Sequence, residues 1–95
     1  MYNLNNLGLA MRAKKLVHGT PLCIKAIQNG SAKLVIIASD ASENTIKKIT
    51  DKAKYYQVEH LIMFDSISLS ASIGKNNIKV VCLLDDGFKK MFTQQ

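Results

Sequence analysis

Near the start of the chain, Leu4, Leu7 and Met11 return at helical spacing while Arg12 and Lys15 fall off their stripe, which predicts an amphipathic helix from about Tyr2 to Lys14. A brief Leu16-Val17 strand then runs to Gly19. Thr20 is placed to cap a second helix, and Pro21 fits its first turn, where a missing N–H is costless. This helix reaches Gly30 with Leu22, Cys23, Ala26 and Ile27 on its core face; Lys25, Gln28 and Asn29 look outward. The uninterrupted run Leu34-Val35-Ile36-Ile37-Ala38 lacks alternation, as does a strand buried on both faces in the middle of a covered sheet.

Asp40, three residues before Glu43, is spaced as in a capping box, with Ser42 as a competing cap; Ile46, Ile49, Ala53 and Tyr56 then mark a long third helix. A strand is expected over Leu61 to Phe64, followed by a polar loop, Asp65-Ser66-Ile67-Ser68, with one outward isoleucine. Leu69 and Ile73 fit a short helix ending at Gly74. A last strand, Ile78 to Leu84, leads through Asp85 as a cap into a helix expected to bury Phe88, Met91 and Phe92. The order αβαβαβαβα predicts an α/β protein, a three-layer α/β/α sandwich around a four-stranded mixed sheet.

Charge adds a direction to this picture. The chain of 95 residues carries 13 Lys plus Arg against 7 Asp plus Glu, a net charge of +6. Five of the basic residues, Arg12, Lys14, Lys15, Lys25 and Lys33, precede the first acid, Asp40. On folded elements these residues are expected to form a basic face, and such uncompensated positive charge attracts polyanions, of which phosphate backbones are the commonest. Lys47, Lys48, Lys52 and Lys54 on the third helix are interleaved with Glu43 and Asp51, and fit an ordinary solvated face equally well. With 47% hydrophobic residues, one core over residues 1–95 is expected, in a single domain. The longest apolar runs are far shorter than the roughly 20 residues of a membrane helix, so no membrane partner is expected, nor a signal peptide.

Candidate chemistry is sparse. Cys23 and Cys82 stand far apart inside apolar runs and read as reduced core thiols. His18 and His60 have no Ser, Cys or carboxylate at a catalytic or metal-ligating spacing. No phosphate loop, nucleophile elbow or carboxylate pair is present, so neither an enzyme, a metal nor a cofactor is expected, and no small-molecule substrate. Asp40, after the central strand, stands where an α/β fold places a functional acid, but its helix-start position also makes it a cap.

The stretch Leu7-Gly8-Leu9-Ala10-Met11-Arg12-Ala13, then Lys15-Leu16-Val17-His18-Gly19, then Ala32 to Asp40 with Ala41-Ser42-Glu43-Asn44-Thr45, resembles the kink-turn RNA-binding proteins of ribosomes and small nucleolar particles, including small bacterial ribosomal members. The similarity extends through Leu69 to Gly74 and Asp86-Gly87-Phe88. It implies an α/β/α sandwich and a non-catalytic, cytoplasmic, ribosome-associated protein, with structured RNA, above all ribosomal RNA, as partner. A monomer is the default. Family members place a Gly-x-Asn-Glu-x-x-Lys pattern at the amino end of the second helix, where Asn and Glu read guanine edges. Here Gly19 and Lys25 match, while Pro21 and Leu22 replace the two base readers; each lost base contact is worth about 1–3 kcal/mol. Lys15 matches a basic residue before the short strand, Lys14 stands where many relatives have glycine, and Ile67 lies in the loop that corresponds to the family's second RNA-touching segment.

The RNA-binding set is therefore Arg12, Lys14, Lys15, Gly19, Thr20, Lys25, Asn29 and Ile67. A second reading is an interaction adaptor on which Pro21, Leu22 and Ile67 form an apolar patch. A third, a small enzyme or nucleotide binder around Asp40, has no nucleophile or phosphate loop to support it.

Overall fold

The computed structural model describes residues 2–93. Its elements are α1 (Asn5–Arg12), β1 (Leu16–His18), α2 (Thr20–Gln28), β2 (Leu34–Ile37), α3 (Glu43–Tyr55), β3 (Glu59–Ile62), α4 (Ser66–Ser72), β4 (Val80–Leu83) and α5 (Asp86–Thr93). The strands form one mixed sheet in the order β1-β4-β2-β3. β2 and β3 are parallel, and β4 runs antiparallel between β2 and β1. The α/β/α sandwich around a four-stranded mixed sheet is thus the observed fold.

Pleating divides the apolar run of β2 between two cores. Leu34, Ile36 and Ala38 join Val81, Leu83, Leu7, Leu69 and Phe92 on the face covered by α1, α4 and α5. Val35 and Ile37 join Val80, Cys82, Cys23, Ile27 and Ile49 on the face covered by α2 and α3. Both central strands are fully buried, which is why their residues do not alternate with polar ones.

Several local expectations shift. α1 begins at Asn5, where Asn3 Oδ1 accepts the Asn5 N–H at 2.9 Å, and ends before Lys14, whose φ of 60° leaves the helical region. α2 starts at Thr20, but Gly19 is its cap: a φ of 90° suits glycine, and the Thr20 hydroxyl makes no capping bond. The cap of α3 is Ser42, whose Oγ accepts the Thr45 N–H at 3.1 Å, so the capping-box role expected of Asp40 is not what that residue does. β3 lies two residues earlier than Leu61–Phe64, because its parallel register pairs Leu34 with Glu59 and Ile37 with Ile62. Asp65 to Ser68 is not a free loop: Asp65 caps α4 and the next three residues form its first turn. Leu22 and Met91 are 51% and 42% exposed rather than buried, since Cys23 and Phe92 take the core positions of their helices.

Cys23 and Cys82 are buried free thiols. The Cys82 thiol points at the Cys23 carbonyl, 3.9 Å away, and the Cys23 thiol at the Val17 carbonyl, 3.8 Å away. Interaction with Cys82 and then burial push the Cys23 thiol far above the ordinary range, so it stays protonated.

Candidate functional site

The sheet's connectivity fixes which residues can meet. β1, β2 and β3 run in the same direction and β4 against them, so one end of the sheet gathers the carboxyl ends of three strands and the start of the fourth. Backbone hydrogen bonds tie that end together. The Gly19 N–H donates to Val80 O at 2.9 Å, Ala38 N–H to Lys79 O at 2.7 Å and Ser39 N–H to Phe64 O at 2.8 Å. Open α/β sheets present ligand sites at the carboxyl ends of their strands.

Two helices begin there with opposite characters. α2 opens with Gly19-Thr20-Pro21-Leu22, and its first helical bond runs from Cys23 N–H to Gly19 O at 3.0 Å. The N–H groups of Thr20 and Leu22 therefore precede the helical ladder and are directed out of its positive end. Pro21 contributes no N–H. α4, by contrast, is closed by carboxylates: Asp65 Oδ1 accepts the Ser68 N–H at 2.7 Å and Asp40 Oδ1 accepts the Ser66 N–H at 2.8 Å.

Asp40 does more than cap. Its Oδ2 accepts the Ser66 hydroxyl at 2.7 Å, and the Lys79 ammonium donates to the same Ser66 oxygen at 3.1 Å. The Ser66 hydroxyl above all holds the Asp40 carboxyl below its ordinary value; the opposing effect of desolvation comes next, and the Ser66 N–H, the Asp40 backbone N–H and the nearby Lys79 charge add to the lowering. This brace links the segment after β2, the start of α4 and the start of β4. Phe64, just before the α4 cap, has a φ of 64°, and its carbonyl also accepts the Ser39 hydroxyl at 3.0 Å. Ile67 projects from the first turn of α4 and is 80% exposed.

The eight residues singled out from sequence divide between the two ends. Gly19, Thr20 and Ile67 lie at the strand-carboxyl end. Lys25 is exposed on α2, five residues past Thr20, or about 7.5 Å along the axis. Arg12, Lys14 and Lys15 lie at the opposite end, where Lys15 leads into β1 and its carbonyl accepts the Leu84 N–H at 2.9 Å. Asn29, at the carboxyl end of α2, is also there, and its Oδ1 closes a turn by accepting Ser31 N–H at 3.0 Å and Ser31 Oγ–H at 2.6 Å. Lys33 belongs to this end too, donating its N–H to Leu83 O at 2.8 Å. The chain's basic N-terminal segment is therefore not one continuous face.

Lys79 and Ser66 were not among the sequence candidates. Lys79 opens the apolar run of β4, but only the antiparallel placement of that strand brings it beside Asp40. What the strand-carboxyl end offers is an anion-compatible helix start, the Lys79 ammonium, and exposed Leu22 and Ile67 side chains. Asp40 and Asp65 direct carboxylate oxygens into the chain's own N–H and O–H donors.

An α/β/α sandwich with α2 and α4 opening at one end of a mixed β1-β4-β2-β3 sheet defines the class of fold to which this site belongs. The chain belongs to the ribosomal protein L7Ae/L30e/S12e/Gadd45 family, whose pattern matches residues 3–92. Within it, the chain is similar to RNA-binding protein YlxQ of Bacillus subtilis (strain 168), 50% identical over 82 residues covering 86% of this chain and 82% of that protein. RNA-binding protein YlxQ of Enterococcus faecium is 47% identical over 87 residues, covering 92% and 84%. A solved structure of a protein with unknown function from Bacillus halodurans C superposes with a TM-score of 0.89 at 39% identity, covering 94% of this chain and 90% of that one.

Proposed function

We propose that this chain is a non-catalytic RNA-binding protein that docks structured RNA on the strand-carboxyl end of its sheet. The observation that carries the reading is the convergence there of the open α2 amino terminus, Lys79 and the exposed Ile67, in a chain about half identical to proteins named for RNA binding. Phosphate oxygens would accept from the Thr20 and Leu22 N–H groups, the Thr20 hydroxyl, Lys25 and Lys79. Ile67 would pack on an unstacked base or sugar. With Pro21 and Leu22 in place of base readers, recognition of a bent RNA such as a kink-turn rests on shape more than on guanine edges. Ribosomal RNA is the partner this family suggests, with the protein acting as a ribosome-associated, cytoplasmic monomer of one domain.

The test is a salt titration of binding to a kink-turn RNA. Substituting Lys25 and Lys79 by Gln should lower the slope of log K against log salt by about 1.4–1.8, as for two lost phosphates. An unchanged slope would remove both from the interface. Substituting Arg12, Lys14 and Lys15 instead asks whether the far end contributes.

A second reading, a protein adaptor, is favoured by Leu22 and Ile67, which are 51% and 80% exposed on the same end of the fold as Pro21. A stoichiometric protein partner retained after nuclease treatment, and lost on Leu22→Ser with Ile67→Ser, would establish it.

A further inference from the structure

α3 begins near the strand-carboxyl end and runs 13 residues, about 18 Å, towards the other. Its last turns carry an arrangement that the fold does not use. Lys48, Lys52 and Tyr55 recur on one face at intervals of four and three residues, and with Asp51 and Tyr56 they line a shallow cleft of about 550 Å³. Tyr55 is 79% exposed, the most open tyrosine among the described residues with Tyr2 and Tyr56, and its ring meets that of Tyr56 edge-to-face with centroids 4.9 Å apart. Asp51, the one acid in the cleft, is engaged from the flank by Lys47 at 3.0 Å. Among the described residues, Lys48 and Lys52 have no carboxylate partner.

We infer that this face of α3 is a second binding surface, for single-stranded RNA, in which a base stacks on Tyr55 and flanking phosphates sit on Lys48 and Lys52. The choice of ligand follows from the lining. The cleft is lined by two aromatic rings, two lysines and one acid, with no aliphatic residue among them. An aromatic platform beside two ammonium groups is the combination by which single strands are held without regard to sequence. The class of ligand rests on the RNA-binding reading above, but the surface lies apart from Gly19, Ile67 and Lys79 and fails or stands separately.

The test compares a short oligouridylate with a kink-turn RNA, for the whole chain and three variants. Tyr55→Ala should weaken the oligouridylate about tenfold, Tyr55→Phe should keep it, and Lys48→Gln with Lys52→Gln should lower its salt slope by about 1.4. The kink-turn RNA, anchored at the other surface, should bind all three variants as it binds the unsubstituted chain. Oligouridylate binding that ignores Tyr55→Ala, or that falls equally in Tyr55→Phe, would overturn the stacking site. So would self-association of the chain that Tyr55→Ala abolishes. Loss of kink-turn binding on Lys25→Gln with Lys79→Gln, alongside no oligouridylate binding at all, would leave the first surface standing and remove this one.

Discussion

Asp40 and Ser66 are joined twice, the serine donating its N–H to one carboxylate oxygen at 2.8 Å and its hydroxyl to the other at 2.7 Å. Twenty-six residues of chain separate them. The pair holds the first turn of α4, and with it Ile67, at a fixed place relative to the segment after β2. Asp40→Asn keeps the shape of the side chain but replaces one acceptor by a donor facing the Ser66 hydroxyl. Its expected outcome is a lowered melting temperature with faster amide hydrogen exchange confined to Ser66–Leu69, read by NMR. Uniform destabilisation with no local change would show that the brace does not order α4.

The same pair sets a pH dependence. The folded-state value of Asp40 lies below its ordinary 3.8, so its contribution to stability is present above that value and is lost as pH falls through the lower folded one. Denaturant midpoints of the native chain should therefore fall more steeply on acidification than those of Asp40→Asn. Parallel acid limbs would assign the acid sensitivity to other carboxylates.

Gly8 makes a prediction opposite in sign to helix propensity. Alanine is ordinarily preferred to glycine inside a helix by about 1 kcal/mol. A Cβ at position 8 would stand 2.7 Å from the Ser72 backbone oxygen, where α1 passes α4. Gly8→Ala should destabilise by about 1–3 kcal/mol by forcing the two helices apart. An increased urea midpoint would mean that the helices separate without cost.

Ser70 is buried, and its hydroxyl oxygen accepts the Ile78 N–H at 2.7 Å while lying 3.3 Å from Ile78 O. Ser70→Ala leaves that N–H without this acceptor and should cost about 1–3 kcal/mol. Chemical denaturation with an unchanged m-value would measure it.

Position 21–22 offers a gain rather than a loss. Pro21→Asn with Leu22→Glu rebuilds the Asn-Glu pair that the resemblance implies for reading guanine edges, at helix positions where both residues are well tolerated. Affinity for a kink-turn RNA should rise by about tenfold or more for each contact regained, relative to a fully paired control. Equal gains on both RNAs would mean that the pair does not read bases.

How much of this was written locally can be seen at particular residues. The strand character of Leu34 to Ala38 follows from an unbroken apolar run, and the α3 stripe of Ile49 and Ala53 from helical periodicity; both report burial directly. Leu22 and Met91 have the hydrophobicity of core residues, but adjacent Cys23 and Phe92 take the core-facing positions. The role of Asp40 was hidden because its partner comes from another connection; on local spacing alone, Asp40 and Ser42 were rivals for one helix start. Lys15 and Gly19 were read as one docking face although β1 runs between them, and what lies beside each depends on β4, whose direction no nearby residue encodes. Lys79 was missed for that reason.

The position of β4 also orders events in time. Among the described residues it is the last strand in chain order, yet it lies between β1 and β2, and β1 pairs with no other strand. β2 and β3 have their pairing residues in the chain before β4 does, whereas the strand partner of β1 is residues 80–83. The bonds that tie Gly19 to Val80, Ala38 to Lys79 and Lys79 to Ser66 consequently form only as that strand slots in, so a nascent chain lacking β4 would have the Asp40–Ser66 pair without the lysine and without the sheet that joins it to Gly19.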